Sequence, residues 1–324
     1  MTTRGRFLTA GAAFACVYGV DVARAAAGPA NVMSTYQPGL GYTPFIMLSK
    51  SSALTTQFPE TKFEWRELSN GAVIRDGFVS NTIQIGAVGS APFLIGWDRG
   101  VPWKILCDSN NFDFWLVTMD PRIQSIKDLK PGDKIATPSP DAINSLVLRA
   151  ALTRQGLPAT HLDVGMVAMP HPLAEQALLN HQVVAHIATP PYAQDEVKRG
   201  GHVIMRTTDG FPGGITSTVV VASTPFAQQY PAFVDAFYKE FVATVKSIQA
   251  HPDEAAKAYV ESTNGKANLA EATGIFRELS GSLFGVAPHG IMETARFMVK
   301  MGMIRKAPAS FAEISLGYVN AEAN

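Results

Sequence analysis

Small, polar and aromatic residues cluster directly after the strand-like runs of this sequence, and such residues can surround a small molecule. The segments with this pattern are residues 36–42, 88–93, 108–115, 138–139, 171–172 and 189–192. Glycine and serine allow backbone N–H groups to approach a ligand, while tyrosine and phenylalanine provide flat apolar walls. Because the carboxyl ends of parallel strands lie along one edge of a sheet, we expect these segments to converge on one cleft.

The motifs of common enzyme classes are absent. The sequence has no Gly-x-x-x-x-Gly-Lys phosphate loop, no His-Glu-x-x-His and no Gly-x-Ser-x-Gly. His161, His171 and His181 are evenly spaced, but they fall across a loop, a strand and a helix and share no face. Only His171 directly follows a strand, where α/β proteins usually bind ligands. Asp253 and Glu254 begin a predicted helix and complement its dipole. We therefore predict no catalytic residue and no metal site.

The composition excludes several classes of protein. The chain has 324 residues, 47% of them hydrophobic, with 27 basic and 27 acidic side chains. This balance lacks the charge that coating nucleic acid or an anionic membrane requires. The two cysteines, Cys16 and Cys107, cannot build a disulfide framework or a thiolate zinc site. Cys107 lies in a strand-like run, and we expect it to be buried.

Residues 1–25 are typical of a signal peptide. Arg4 and Arg6 precede an apolar run over residues 7–20, and small residues follow at 23–27. We expect cleavage near Ala25 and a periplasmic location. The first residues resemble a twin-arginine signal, but Gly5 separates the two arginines, so the general and twin-arginine routes both remain open. Lipidation at Cys16 also stays open, although residues 13–15 match a lipoprotein box poorly.

Short apolar or β-branched runs alternate with helical patterns, which is typical of an α/β protein with mainly parallel sheets. The predicted strands cover residues 32–35, 62–66, 83–87, 103–107, 114–118, 134–137, 164–168, 183–187, 202–206 and 217–222. Ten strands are many for one sheet, so the length favours two lobes.

Several helices have recognisable ends. Ser139 is a predicted N-cap with Pro140 in the first turn, and Gly156 follows the end of that helix. Residues 230–231 begin a long helix with a broad apolar stripe. Helices over residues 254–260, 269–279 and 291–301 follow, so the C-terminal third is expected to cover the sheet.

Three strings of sequence carry a family resemblance. They are Asp-Leu-Lys-Pro-Gly-Asp-Lys-Ile-Ala-Thr-Pro-Ser-Pro at 128–140, Thr-Pro-Pro-Tyr-Ala at 189–193 and Ala-His-Pro-Asp-Glu-Ala-Ala-Lys at 250–257. Together they resemble the substrate-binding proteins of nitrate, sulfonate and taurine type ABC importers, the NMT1/THI5-like family. The resemblance implies a two-lobed periplasmic-binding-protein fold of type II with a two-strand hinge. It places lobe I at residues 28–118 plus 213–324 and lobe II at 119–212, with crossings near Met119 and residues 211–214.

The resemblance also implies a set of ligand-binding residues. Transferred to this sequence, they are Tyr36, Gln37, Gly41, Ser90, Ala91, Asn111, Phe112, Ser139, Asn144, Ser145, Thr189 and Tyr192. Asp141 departs from the small or neutral residue that relatives often carry after this turn. A carboxylate there can occupy the positive end of the helix and compete with an anion.

Six aromatic residues lie in or near these segments, more than a small inorganic anion needs. They are Tyr36, Tyr42, Phe112, Trp115, Tyr192 and Phe211. They favour an organic solute, aromatic or heterocyclic, although Trp115 and its neighbour Phe114 can equally be core residues.

We therefore expect a non-catalytic, monomeric receptor that binds a small organic or sulfonate-type solute by hinge closure and delivers it to an ABC permease in the inner membrane, without a cofactor. An enzyme similar to thiamine-pyrimidine synthases is the alternative from another class. Those relatives use a cysteine-rich motif and lysine-bound pyridoxal phosphate, whereas this sequence has a single cysteine after the signal. A ligand sensor for a signalling receptor would use the same cleft.

The signal peptide gives the first prediction. Intact-mass analysis of protein exported to the periplasm is expected to show a chain that begins near residue 26, because signal peptidase cleaves after small residues at alternate positions. Exported protein that still carries Met1 would contradict this interpretation.

Overall fold

The computed structural model describes residues 28–319 and contains two five-stranded sheets. The first sheet has the order β2-β1-β3-β10-β4, with β1 at Asn31–Tyr36, β2 at Lys62–Glu67, β3 at Ile85–Gly89, β4 at Trp103–Asn110 and β10 at Thr218–Ser223. The second has the order β7-β6-β8-β5-β9, with β5 at Trp115–Thr118, β6 at Ile135–Thr137, β7 at Met166–Ala168, β8 at Ala185–Ala188 and β9 at His202–Met205. The predicted signal peptide, with Cys16, lies outside the described residues.

Helices connect and cover the strands. They are α1 (Thr43–Lys50), α2 (Ala53–Gln57), α3 (Gly71–Val79), α4 (Ser90–Asp98), α5 (Ile143–Arg154), α6 (His171–Leu179), α7 (Tyr192–Lys198), α8 (Thr207–Gly210), α9 (Thr224–Gln229), α10 (Pro231–Ala250), α11 (Pro252–Ser262), α12 (Leu269–Leu283), α13 (Ile291–Lys300) and α14 (Phe311–Ile314). Within residues 28–319, no helix is long and apolar enough to cross a membrane. We use "first lobe" for residues 28–110 with 218–319 and "second lobe" for residues 115–210.

The sheets are mixed rather than mainly parallel, which corrects the sequence prediction. Strand β10 runs antiparallel to β3 and β4, and β5 runs antiparallel to β8 and β9, while the other pairings are parallel. Both antiparallel strands directly follow a point where the chain crosses from one sheet to the other. Because β5 pairs in the second sheet, residues 115–118 do not belong with the first, and the first crossing precedes Trp115 instead of lying near Met119.

Two segments join the lobes, residues 111–114 and 211–217, and they lie side by side. The Phe112 N–H donates to Ser217 Oγ at 2.6 Å, and the Phe114 N–H donates to Thr207 Oγ1 at 2.7 Å. The Ser217 N–H donates to the Asn110 carbonyl at 3.1 Å. Side-chain hydroxyls thus satisfy much of the backbone here in place of a regular strand ladder. Gly213 and Gly214, at the second crossing that the resemblance implies, lie in the second segment.

The start of α5 differs from the prediction. Ser139 does not cap the helix, because residues 139–142 form a turn in which the Ala142 N–H donates to the Ser139 carbonyl at 3.1 Å. The Ser139 hydroxyl donates instead to the Asp141 carboxylate, and Ala142 is the N-cap. At the other end, Gly156 has a φ of +81° just after the C-cap, as the sequence predicts. The predicted burial of Cys107 is also confirmed.

An aromatic cluster fixes α1 and α10 against the first sheet. The Phe45 ring lies 5.4 Å from Phe241, 6.0 Å from Tyr36, and 6.4 Å from both Trp65 and Phe237. Phe45 is fully buried. Buried aromatic side chains contribute through the apolar area that they remove from water and through tilted ring contacts. The apolar stripe predicted for the long helix is therefore the face that holds this lobe together.

The cluster generates a stability prediction. Phe45→Ala is expected to lower the free energy of unfolding by about 3 to 5 kcal/mol, because it removes the buried ring and leaves a cavity. Chemical denaturation measures the change. Leu173→Ala is the control, since that side chain is 63% exposed on α6 and should change stability by less than about 0.5 kcal/mol. Equal losses in the two variants would contradict the assignment.

Candidate functional site

A cleft of about 900 Å³, including its opening to solvent, lies between the two lobes. The first lobe contributes the segment after β1 and the starts of α3 and α4, and the second contributes the starts of α5, α6 and α7. Phe112 and Phe114 come from the first crossing segment. The convergence of these segments agrees with the expectation from their positions after strands.

Half of the predicted binding residues line this cleft. They are Gln37, Phe112, Ser139, Asn144, Thr189 and Tyr192. Gln37 follows β1, Thr189 follows β8, and Asn144 lies in the first turn of α5, where its Nδ2 donates to the Ile187 carbonyl at 3.3 Å. The Asn144 side chain is therefore held by β8, and its backbone N–H is one of the donors at the start of α5.

The remaining predicted residues lie behind the lining. They are Tyr36, Gly41, Ser90, Ala91, Asn111 and Ser145, none of which is among the residues that surround the cleft in the described chain. Tyr36 packs on Phe45, and Gly41 lies directly against the Phe112 ring. Ser145 Oγ pairs with Thr137 Oγ1 at 2.9 Å, which fixes the turn before α5. Their contact with a solute remains a prediction, and in this structure they support the lining.

The remaining three supporting residues are held by the first lobe. Ser90 and Ala91 begin α4 and are fully buried. Asn111 Nδ2 donates to Asp108 Oδ2 at 2.8 Å. The direction of each side chain depends on tertiary packing. The spacing of residues in the sequence therefore did not show which of them line the cleft and which lie behind the lining.

Several lining residues were missed by the prediction. Asn70, after β2, caps α3 by accepting from the Ala72 N–H at 3.0 Å and the Val73 N–H at 3.2 Å. The sequence contained a signal for Asn70, because it comes three residues after β2. Since β2 runs parallel to β1, both strands end at the same sheet edge. Tyr42, Phe114 and His171 also line the cleft, and although the sequence placed all three in the converging segments, none was among the residues predicted to bind the solute.

The aromatic residues separate into two groups. Tyr42, Phe112 and Tyr192 line the cleft, and burial raises the pKa of the Tyr42 phenol to about 12, so it stays uncharged. Phe211 instead packs on α13, and Trp115 is half-buried with Nε1 donating to Asp113 Oδ2 at 2.7 Å.

The start of α5 faces the cleft without a side-chain cap. The backbone N–H groups of Ile143, Asn144 and Ser145 donate to no acceptor within residues 28–319. Asp141 lies two residues before the helix and does not occupy its end, which corrects the expectation of competition with an anion. The N-termini of α4 and α6 also lack side-chain caps. Helix N-termini carry partial positive charge, so this part of the cleft favours electronegative atoms.

A chain of hydrogen bonds leads from the cleft into the second lobe. His171 Nδ1 lies 2.9 Å from His186 Nε2, and His186 Nδ1 lies 2.5 Å from Glu196 Oε1. Burial raises the pKa of the Glu196 carboxyl to about 9 and lowers the pKa of His186 to about 3. Burial and the neighbouring His186 also hold the pKa of His171 well below its ordinary value. All three groups are therefore uncharged near neutral pH.

This chain does not have the geometry of a metal site. The two imidazoles are paired with each other through Nδ1 and Nε2, so their lone pairs do not converge on a common centre. Within the described part of the protein, no group of three or more His, Cys, Asp or Glu side chains is arranged to hold a metal ion.

Comparison with known proteins identifies the family. The model of the NMT1-like family matches residues 26–262, which is well over half of the sequence. The chain belongs to the NMT1-like family. The resemblance found in the sequence is therefore confirmed, and with it the two-lobed α/β fold that structures of this type share.

One sequence relative and two solved structures are similar to this chain, and the structures share its fold. The taurine-binding periplasmic protein of Escherichia coli K12 is 23% identical over 259 residues, covering 74% of this chain and 78% of its own length. The alkanesulfonate-binding protein of Xanthomonas axonopodis pv. citri, bound to MOPS, superposes with a TM-score of 0.72 at 18% identity, covering 86% of this chain and 96% of that one. The nitrate-binding protein of Synechocystis PCC 6803 gives 0.73 at 12% identity, with coverages of 89% and 86%.

The buried carboxyl of this NMT1-like protein makes its stability depend on pH. The pKa of Glu196 rises from 4.5 to about 9 on folding, so the folded protein retains a proton that the unfolded chain releases in this range. Stability contributed by such a group is present at low pH and is lost as the pH rises towards 9.

Glu196→Gln has no proton to lose, so its stability relative to the wild type should increase between pH 7 and 9, by about 1 to 2 kcal/mol. Chemical denaturation at the two pH values measures the difference. The exposed Glu278→Gln is the control and should show no such change. A constant difference between Glu196→Gln and the wild type would contradict a buried, protonated carboxyl.

Proposed function

We propose that this NMT1-like protein is the extracytoplasmic solute-binding protein of an ABC importer, which captures a small organic solute in its cleft and delivers it to a permease. The observation that carries the proposal is the uncapped start of α5, which faces the cleft beside aromatic side chains from the lobes and the crossing segment. Open N–H groups with apolar walls suit a solute that has both an electronegative group and an apolar body.

The solute chemistry follows from the lining. No lysine or arginine is among the residues that line the cleft in the described chain, and Asp141 is the one acidic residue there. The N–H groups of helix starts donate to carboxylate or sulfonate oxygens without a formal positive charge. Asp141 repels a second anionic group and accepts a hydrogen bond from an N–H or O–H of the solute. The rings of Tyr42, Phe112 and Tyr192 favour a flat or apolar body. We infer a small organic acid or sulfonate, with an aromatic or heterocyclic body as the favoured class.

The names of the relatives agree with this class in part. They give taurine, an alkanesulfonate-type buffer and nitrate as ligands, and each of these has an anionic group. The rings of Tyr42, Phe112 and Tyr192 give the cleft more apolar wall than a small inorganic anion needs, so an organic solute is favoured over nitrate.

A non-catalytic role is supported by the side chains present. The pyridoxal-phosphate enzymes that share this architecture need a lysine for the Schiff base, and the cleft lining within residues 28–319 has none. The relatives are named as binding proteins.

Closure of the lobes would occur about the two crossing segments. The lobes also contact each other through an ion pair, in which Lys198 Nζ lies 2.5 Å from Glu271 Oε1. Both side chains are exposed, so this ion pair contributes little by itself. A solute that contacts Phe112, Asn144 and Tyr192 would stabilise the closed arrangement, because only contacts that are better in the closed state shift the equilibrium.

A binding experiment tests the function. Calorimetric titration with benzoate, benzenesulfonate, MOPS, taurine, nitrate and choline is expected to show one-to-one binding of an organic acid or sulfonate and none of choline, with compaction in small-angle scattering. Tyr192→Ala should weaken that binding about tenfold or more, because it removes an aromatic wall. Tyr318→Ala, far along the chain from the lining, is the matched control.

Three outcomes would count against the proposal. Binding without compaction would remove the hinge mechanism, preference for choline would reverse the inferred charge, and no binding across the panel would reject the solute class.

A further inference from the structure

We propose that His171 presents an uncharged Nε2–H donor to the solute, and that the buried His186–Glu196 pair behind it fixes this proton. The inference rests on the proposed function and assigns one contact within it. The solute atom at this position must then be a hydrogen-bond acceptor, such as a carboxylate or sulfonate oxygen or an unprotonated ring nitrogen.

The two ring nitrogens of His171 have different surroundings. His171 lines the cleft in the first turn of α6, and its Nδ1 is engaged by His186 at 2.9 Å. Its Nε2 lies on the opposite side of the imidazole and has no partner among the described residues. Tyr192 stacks on the ring with centroids 5.6 Å apart and planes 18° apart, which holds the orientation of the imidazole. His171 therefore joins the interior of the lobe to the cleft through its two nitrogens.

The number of protons on the His186–Glu196 pair decides whether His171 Nε2 carries an N–H or a lone pair. If Glu196 is protonated, it donates to His186 Nδ1, so His186 Nε2–H donates to His171 Nδ1. If the proton instead moves to His186, the imidazolium still donates through Nε2. In both neutral arrangements of the pair, His171 must carry its own proton on Nε2.

The reverse arrangement requires a net negative pair. Only when Glu196 is ionised and His186 is neutral does His186 Nδ1–H donate to the carboxylate, leaving Nε2 as an acceptor. His171 would then place its proton on Nδ1 and present a lone pair to the cleft. The proposed donor thus depends on the total charge of the pair and not on how the pair shares its proton.

The surroundings of Glu196 oppose a net negative pair. Glu196 is completely buried, and its Oε2 has no partner in the described chain. Burial, followed by the like charge of Asp195 on the same helix, raises the pKa of Glu196, and burial with the like charges of Asp195 and Glu196 raises the pKa of Glu175 on α6. Arg199 acts on Glu175, but it is paired with Asp195 at 2.6 Å. Burying a carboxylate without a cation is expensive, so the neutral pair is favoured.

The neutral donor affects selectivity. An N–H group without charge attracts an acceptor but gives no attraction to a cation, and it does not titrate between pH 6 and 8 while the pair stays neutral. The pKa of Glu196, raised to about 9 by burial, sets the upper end of the pH range in which the pair stays neutral. Binding that uses this contact should be constant through neutral pH and weaken above pH 9.

Nuclear magnetic resonance of protein labelled with ¹⁵N-histidine tests the proton position without a solute. Long-range ¹H–¹⁵N correlation spectra distinguish the two neutral tautomers, and His171→Gln and His186→Gln assign the signals among the seven histidines. We expect His171 to be protonated on Nε2 from pH 6 to 8 and to shift towards Nδ1 above pH 9. Protonation on Nδ1 at pH 7 would overturn the proposal while leaving solute binding untouched.

Glu196→Gln separates a proton effect from a structural one. The glutamine amide can donate to His186 Nδ1 as the carboxylic acid does, so the Nε2–H tautomer should persist and the change above pH 9 should disappear. His186→Leu should release the constraint on His171, and the single tautomer should be lost. His202→Gln is the control, because its Nε2 pairs with the Ile123 carbonyl at 2.7 Å, away from the cleft. Retention of the alkaline change in Glu196→Gln would contradict the role of Glu196.

The solute panel completes the test. Whichever of benzoate, benzenesulfonate, MOPS or taurine binds the wild type, His171→Phe should weaken it about five- to tenfold, because the ring stack is kept and one hydrogen bond is lost. Unchanged affinity would overturn the contact with solute. Absence of binding by the whole panel, with the Nε2–H tautomer present, would reject the proposed function and leave the proton arrangement intact.

Discussion

Two crossing segments carry all covalent connection between the lobes, and the way their backbones are satisfied shapes the cleft. The Ser217 hydroxyl accepts from the Phe112 N–H and joins the two segments, while the Thr207 hydroxyl of the second lobe accepts from the Phe114 N–H. Phe112 belongs to one of these segments and also lines the cleft. The connection between the lobes therefore forms part of the cleft lining.

Local sequence patterns predicted the strands well and the contacts between them poorly. Each predicted strand overlaps an observed one, and Gly156 and the start of α10 were identified, because strand runs, left-handed glycines and proline at a helix start depend on nearest neighbours. The direction of β5 and β10 depends on how the chain returns to a sheet, which no local pattern records. The start of α5 was misplaced because the Ser139 hydroxyl pairs with Asp141, although both residue types also suit a cap. Whether a residue lines the cleft or lies behind the lining depends on side-chain directions, so Asn70 was missed, and Ser145, predicted to contact the solute, lies behind the lining.

The cleft favours electronegative atoms of a ligand, although its described lining has no basic side chain. Helix starts provide this combination because their partial charges come from the backbone and need no desolvation of a full cation. The turn over residues 139–142 makes it possible, since it directs the Asp141 carboxylate to Ser139 and leaves the first N–H groups of α5 free. A substitution that let residue 141 cap the helix would fill the same N–H groups from within. The charge preference of the site thus depends on a local turn as much as on residue type.

The histidine chain extends the same principle. A lysine or arginine at the position of His171 would bind an anion more strongly, because hydrogen bonds from charged donors contribute about 1.5 to 3 kcal/mol against about 0.5 to 1.5 for neutral ones. If the protein releases its solute, as the proposed function requires, the weaker donor is an advantage, provided that the donor does not change into an acceptor. Burial of Glu196 beside acidic neighbours keeps the pair behind His171 neutral, and the stack on Tyr192 keeps the ring in place. The destabilising burial of one carboxyl is then what makes an uncharged, fixed donor available in the cleft.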